Sequence, residues 1–152
     1  GRIPTILSPE LLKVLDEMGH TDEIVIADGN FPGHSFGKPV IRLDGHGVPE
    51  ILDAILQVFP LDTYPIKKGE IDPPCTLMAL EPGDVGKVAT PIWDEYKNIV
   101  KKYDDRGAGA FKEINKWDFY DLTRDKSTCV IMSTETAIYA NIILRKGVVI
   151  NN

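Results

Sequence analysis

Apolar positions along the chain switch between a period near 3.6 and a period near 2, which predicts helices interleaved with strands. The first helical run carries Leu11, Leu12, Leu15 and Met18 on one face. Ser8-Pro9-Glu10 opens it with a capping hydroxyl, a proline at the first helical position and an acid in the first turn, and Gly19 ends it. The segment from Glu23 to Asp28 is short, branched and apolar, which reads as a strand. Asp28 then falls at its carboxyl end and His20 in the connection before it. Gly29 to Ser35 is a loop by composition.

Downstream the alternation continues. Val40 to Leu43 predicts a second strand, and Asp44-Gly45-His46-Gly47 a turn. Pro49 opens a helix bearing Ile51, Leu52, Ile55, Leu56 and Phe59, which Pro60 closes. Cys75 to Leu80 reads as a strand, and Thr90-Pro91 caps a helix with Ile92, Trp93, Tyr96, Ile99 and Val100 on its apolar face. Gly107-Ala108-Gly109 interrupts the pattern before a weaker helix over 116–126. Strands over 128–132 and 141–144 close the chain. The pattern predicts one α/β domain over 1–152, a three-layer sandwich with a largely parallel central sheet.

Composition narrows the class. A chain of 152 residues is long enough to bury a substantial core, and 43% hydrophobic with 26% charged residues is ordinary for a globular domain. The formal charge of −6 opposes a nucleic-acid or anionic-membrane partner, and Lys67-Lys68 and Lys101-Lys102 read as solvated surface. No apolar run approaches the roughly 20 residues of a membrane span. The opening Gly1-Arg2-Ile3-Pro4 lacks the sections of a signal peptide. Cys75 and Cys129 lie in apolar stretches without a CxxC spacing, as buried free thiols of a reducing compartment do. The expected address is the cytoplasm.

Ligands of open α/β sheets bind beyond the carboxyl ends of strands, where Asp28 is expected. A carboxylate there can accept two sugar hydroxyls or orient an imidazole; it can equally stop the strand and cap the loop. His20, His34 and His46 are the side chains whose unperturbed pKa lies nearest neutrality, although each also fits an exposed helix end or a glycine-rich turn. Their spacings with Asp28 match no standard metal pattern, and GxSxG, Walker, GxGxxG and HExxH motifs are missing from the sequence. No metal and no cofactor are expected. Trp117-Asp118-Phe119-Tyr120 and Tyr139-Ala140-Asn141 set aromatic rings beside polar groups, suited to a sugar face or to core packing.

These same segments resemble the fucose mutarotase/ribose pyranase family. The resemblance is carried by Leu7-Ser8-Pro9-Glu10-Leu11-Leu12, by Met18-Gly19-His20-Thr21-Asp22-Glu23-Ile24, and by Ile26-Ala27-Asp28-Gly29-Asn30-Phe31-Pro32. Arg42-x-Asp44-Gly45, Pro60-Leu61-Asp62-Thr63-Tyr64 and Thr90-Pro91-Ile92-Trp93-x-Glu95-Tyr96 are similar to the fucose branch. Thr134-Glu135 and Tyr139-Ala140-Asn141-Ile142-Ile143-Leu144 resemble the family's closing signature. The match spans about residues 5–149.

The resemblance implies cofactor-independent interconversion of monosaccharide anomers, with fucose as the expected sugar, by acid–base ring opening. His20 and Tyr120 would be catalytic; Asp28, Lys116, Tyr120, Tyr139, Ala140 and Asn141 would bind substrate. Lys116 stands where fucose-type members usually carry arginine, keeping the charge and losing the planar fork. Ala140 stands where they often have glycine. The family also implies a homo-oligomeric ring, commonly a decamer, with the pocket between subunits. His20 and Asp28 are expected to converge on one sugar-sized hollow. Ribose pyranase activity, a non-catalytic sugar-binding module and a metal-dependent isomerase are the alternatives.

Overall fold

The protein is described here by a computed structural model covering residues 2–65 and 67–150. Its strands are β1 (Glu23–Ala27), β2 (Val40–Leu43), β3 (Cys75–Met78), β4 (Phe111–Ile114), β5 (Ser127–Ser133) and β6 (Ile142–Arg145), and its helices α1 (Pro9–Glu17), α2 (Val48–Leu56), α3 (Pro91–Lys101) and α4 (Lys116–Lys126). They form one six-stranded sheet in the order β2-β5-β1-β6-β3-β4. The pairs β2–β5, β1–β5 and β3–β4 are parallel, whereas β6 runs antiparallel to both its neighbours. Five strands therefore share a direction and one opposes them.

Strand side chains alternate between two cores, as a pleated sheet covered on both faces requires. Ile24, Ile26, Cys129, Ile131, Ile142 and Leu144 face the larger core, against Leu11 and Leu15 of α1, Ile51, Leu52 and Ile55 of α2, and Trp93, Tyr96 and Val100 of α3. Val25, Ala27, Val130, Met132 and Ile143 face the other, where Phe119 of α4 packs with Phe31, Phe36 and Met78. Three layers result. Cys75 and Cys129 are buried free thiols, and burial pushes the Cys129 thiol up to about 12. No helix among the described residues is long and apolar enough to cross a membrane.

Most predicted elements occur where the pattern put them. Ser8 accepts a hydrogen bond from the Leu11 amide at 3.2 Å as the cap of α1, and α4 covers 116–126. Thr90 precedes α3 but its side chain makes no capping bond, so Pro91 alone marks that start. Edge strand β4 was not expected, nor were 3-10 turns over Gly33–Phe36, Pro82–Asp84 and Gly107–Ala110. Phe111-Lys112-Glu113-Ile114 is too short and too charged to show a strand period.

The end of β6 is held by a short antiparallel partner. Leu61 bridges Lys146, the Asp62 amide donates to the Arg145 carbonyl at 3.0 Å, and the Gly147 amide donates to the Pro60 carbonyl at 2.7 Å. A Cβ on Gly147 would sit 2.6 Å from the Leu61 carbonyl oxygen and 3.0 Å from Asp62 Cα. Both are backbone atoms that cannot rotate away. Gly147→Ala is therefore expected to cost about 1–3 kcal/mol in urea denaturation, with wild-type stability as the contrary result.

Candidate functional site

The clearest hollow for a small ligand opens at the carboxyl end of β1, beside the start of the antiparallel β6. It encloses about 250 Å³ and is lined by Asp28, Asn30, Phe31, Met78, Glu81, Lys116, Tyr120, Ile138, Tyr139 and Asn141. Asp28 is the first residue beyond β1, and its amide donates to Asn141 Oδ1 at 2.7 Å. That bond engages one lone pair of the Asn141 oxygen and leaves its NH₂ donors for a ligand. The Asp28 carboxylate accepts the Asn30 amide at 3.0 Å. Burial raises its pKa, against the downward pull of backbone amides at Asn30, Ala140 and Phe31.

The two tyrosines of this cavity are differently committed. Tyr139 has a left-handed backbone (φ 56°), uncommon for a residue with a side chain, and its hydroxyl is bonded on both sides. It donates to Asp84 Oδ2 and accepts the Glu81 amide at 3.1 Å. The hydrogen bond to Asp84 is the main reason its pKa is raised. Tyr120 has its ring wedged against Phe31, Phe36 and Trp117 at centroid distances of 5.8, 5.5 and 6.0 Å. Its hydroxyl makes no hydrogen bond to any described residue. Lys116 extends over the Trp117 and Tyr120 rings at 4.9 and 5.8 Å.

A second hollow, of about 460 Å³, lies at the other end of β1 and contains His20, Glu23, Asp62, Tyr64, Asp72 and Arg145. His20 Nε2 is 2.9 Å from Asp62 Oδ1, and the ring meets Tyr64 edge-on at 5.1 Å. Asp62 is only 2% exposed. Burial works to raise its pKa, but hydrogen bonds from the Tyr64 amide, Arg145 and His20 outweigh it and the net shift is downward. An ionised carboxylate only accepts hydrogen bonds, so the proton on this imidazole sits on Nε2 and leaves Nδ1 for a ligand. Arg145 Nε donates to Asp62 Oδ2 at 2.9 Å and Nη1 to Asp72 Oδ2 at 2.8 Å, fixing the carboxylate from behind.

The expected residues thus divide. Asp28, Lys116, Tyr120, Tyr139 and Asn141 line one cavity. Ala140 is fully buried beside it, its carbonyl accepting the Tyr96 hydroxyl at 2.7 Å, so its offering is the backbone amide near Asp28. His20 stands apart, across a strand roughly 15 Å long, and within one chain it shares no hollow with Asp28. His34 contacts Arg42 and His46 contacts Glu50, away from both. Sequence reading passed over Glu81, brought in by the turn after β3, and Asp62, which appeared only inside a matched motif. A lone acid before Pro82 carries no local signal. Asp62 is found through its pairing with Arg145, 83 positions away.

With this geometry in view, comparison with known proteins gives the class. Residues 2–149 match the RbsD / FucU transport protein family, and the chain belongs to that family. Among individual relatives, it is 43% identical to the fucose mutarotase of Homo sapiens over 99% of this chain and 94% of that one, and 44% identical to the fucose mutarotase of Danio rerio over 97% and 92%. Its fold superposes on FucU from Bifidobacterium longum with a TM-score of 0.89 at 55% identity, covering 97% and 100% of the two chains. The fucose mutarotase from Streptococcus pneumoniae, solved with L-fucose, gives a TM-score of 0.86 at 39% identity over 98% and 99%.

The two carboxylates have opposite linkage. A raised native pKa means that Asp28 contributes most at low pH and loses its contribution as pH rises through the native value; a lowered one means that Asp62 contributes above the carboxylate range and loses it in acid. At neutral pH, Asp28→Asn is expected to stabilise the fold. Asp62→Asn is expected to destabilise it, near the low end of roughly 3–5 kcal/mol because Arg145 keeps Asp72. Urea denaturation at neutral and acidic pH checks both signs, and both differences should shrink on acidification.

Proposed function

We propose that this chain is a fucose mutarotase, an isomerase that interconverts α and β anomers of L-fucose by opening and reclosing the hemiacetal ring. The observation that carries this reading is the cavity in which the Asp28 carboxylate, the Asn141 amide, the Lys116 ammonium and the unengaged Tyr120 hydroxyl converge. Such a set of acceptors and donors suits a small polyhydroxylated ring. The similarity to fucose mutarotases over nearly the full length supports the choice of sugar.

The reaction needs two proton transfers. One group takes the proton of the anomeric hydroxyl as the ring C–O bond breaks, and another delivers a proton to the ring oxygen; the carbonyl then turns and the steps reverse on its other face. A millionfold acceleration corresponds to roughly 8 kcal/mol. Two positioned acid–base groups, at about 10²–10⁴-fold each, are sufficient. Tyr120 is the better of the two tyrosines for this role because the Tyr139 hydroxyl is already spent on Asp84 and Glu81. His20, its Nε2 proton held by Asp62, is the second group.

His20 reaches a sugar held by Asp28 only from a neighbouring copy of the chain. The functional unit is accordingly a homo-oligomeric ring, a decamer as the family resemblance implies, with each site shared between subunits. A cytoplasmic location accords with the two buried free thiols.

Saturation-transfer NMR between L-fucose anomers tests the activity, with D-ribose pyranose/furanose exchange measured alongside. Tyr120→Phe and His20→Ala should each lower exchange by about 10²–10⁴-fold, while Tyr139→Phe should leave far more. Co-refolding the two inactive variants in equal amounts tests the sharing. About a quarter of sites regain both groups when they come from different chains, whereas no activity returns when both belong to one chain. Exchange at the buffer rate in the wild type rejects the enzyme reading in favour of a sugar-binding module.

A further inference from the structure

We propose that Glu81 is a positioning residue of the sugar site, holding the Lys116 ammonium at the cavity wall so that its donors meet substrate hydroxyls; this rests on the mutarotase reading above. Lys116 is the first residue of α4, and its charge rides on a flexible four-carbon stem that does not orient itself. Two of its contacts are ring faces, Trp117 and Tyr120. A ring face attracts a cation but leaves it free to slide over the π surface. The third contact is with an opposite charge: Glu81 Oε1 lies 3.9 Å from Lys116 Nζ, an ion pair longer than a hydrogen bond that draws the ammonium toward one side of the cavity.

Glu81 is itself well placed to act as an anchor. Its amide donates to the Tyr139 hydroxyl at 3.1 Å, its carbonyl accepts the Asp84 amide at 2.9 Å, and Pro82 follows it, so its backbone is fixed on a tight turn. Tyr139 lines the same cavity, which ties the anchor to the wall it serves. An ammonium has three donors. The ion pair with Glu81 spends none of them in a hydrogen bond, so they are available to the cavity that both residues line. Both side chains are partly open to solvent, so the pair adds little to folding stability and its effect belongs to ligand binding.

The test measures L-fucose anomer exchange over a concentration series for the wild type, Glu81→Gln, Lys116→Met and the double variant. Glu81→Gln should raise KM about three- to fivefold, keep kcat within about twofold and leave the melting temperature unchanged. In the Lys116→Met background the same change should add nothing, and Glu81→Asp should recover part of the affinity. An unchanged KM in Glu81→Gln overturns the proposal. So does an equal KM rise in both backgrounds, which means that Glu81 meets the sugar directly. Wild-type exchange at the buffer rate removes the mutarotase reading and this role with it; normal wild-type exchange with a silent Glu81→Gln removes this role alone.

Discussion

The site depends on one antiparallel strand set inside an otherwise parallel sheet. Because β6 opposes β1, its first residues lie beside the end of β1 and its last residues beside the beginning of β1. The register Ile26↔Ile142 therefore brings Asn141 beside Asp28, and their 2.7 Å hydrogen bond lies in the wall of the cavity that both residues line. The register Glu23↔Arg145 delivers Arg145 to the opposite end, where it fixes Asp62 and, through Asp62, His20. One strand of four residues sets both groups of functional side chains. A slip of one residue would exchange the two cores as well, since Ile142 and Leu144 face one and Ile143 the other.

The surrounding charges follow from that arrangement. Arg145 and Lys146 end β6 as adjacent buried cations and are satisfied in different ways. Arg145 takes two aspartates, while Lys146 Nζ donates to the carbonyls of Leu15 and Met18 at 2.7 and 2.6 Å. These are the orphan carbonyls at the end of α1, a helix with no basic residue of its own in its last turn. The connection carrying His20 begins immediately beyond. The imidazole is thus framed by a helix end held by Lys146 and by a carboxylate held by Arg145.

What could be read in the sequence was whatever local chemistry announces. The Ser8-Pro9-Glu10 start, the apolar runs of β1 and β5, and helix 116–126 all carry their own signals, and the structure contains them. Asp28 was placed by its strand, and Tyr120, Tyr139 and Asn141 by rings and amides in short segments that do line a cavity. The direction of β6 was not readable, because Ile142 to Arg145 has the same composition whichever way it pairs. The separation of His20 from Asp28 was hidden for a related reason. Eight positions look close in a sequence, but a strand lies between them, and an extended chain carries its two flanking loops to opposite edges of a sheet. Asp62 and Glu81 pair with residues 83 and 35 positions away, a relation that only the tertiary fold creates.

The two carboxylates sit in contrasting surroundings, and their pKa values move in opposite directions. Asp28 is desolvated, and burial raises its pKa against the pull of the backbone amides around it. In the proposed sugar-binding role, its carboxylate would gain most from a ligand that brings hydroxyl donors. Asp62 is held ionised, against the cost of its burial, by a backbone amide, a guanidinium and the His20 ring. Its charge is directed at the His20 imidazole, which favours the proton on Nε2 and would leave Nδ1 for the proposed proton transfer. Ring opening asks for little more than that. The barrier to be removed is modest, so the proposed set of a desolvated anchor, a phenol and an oriented imidazole would suffice to run the reaction in both directions.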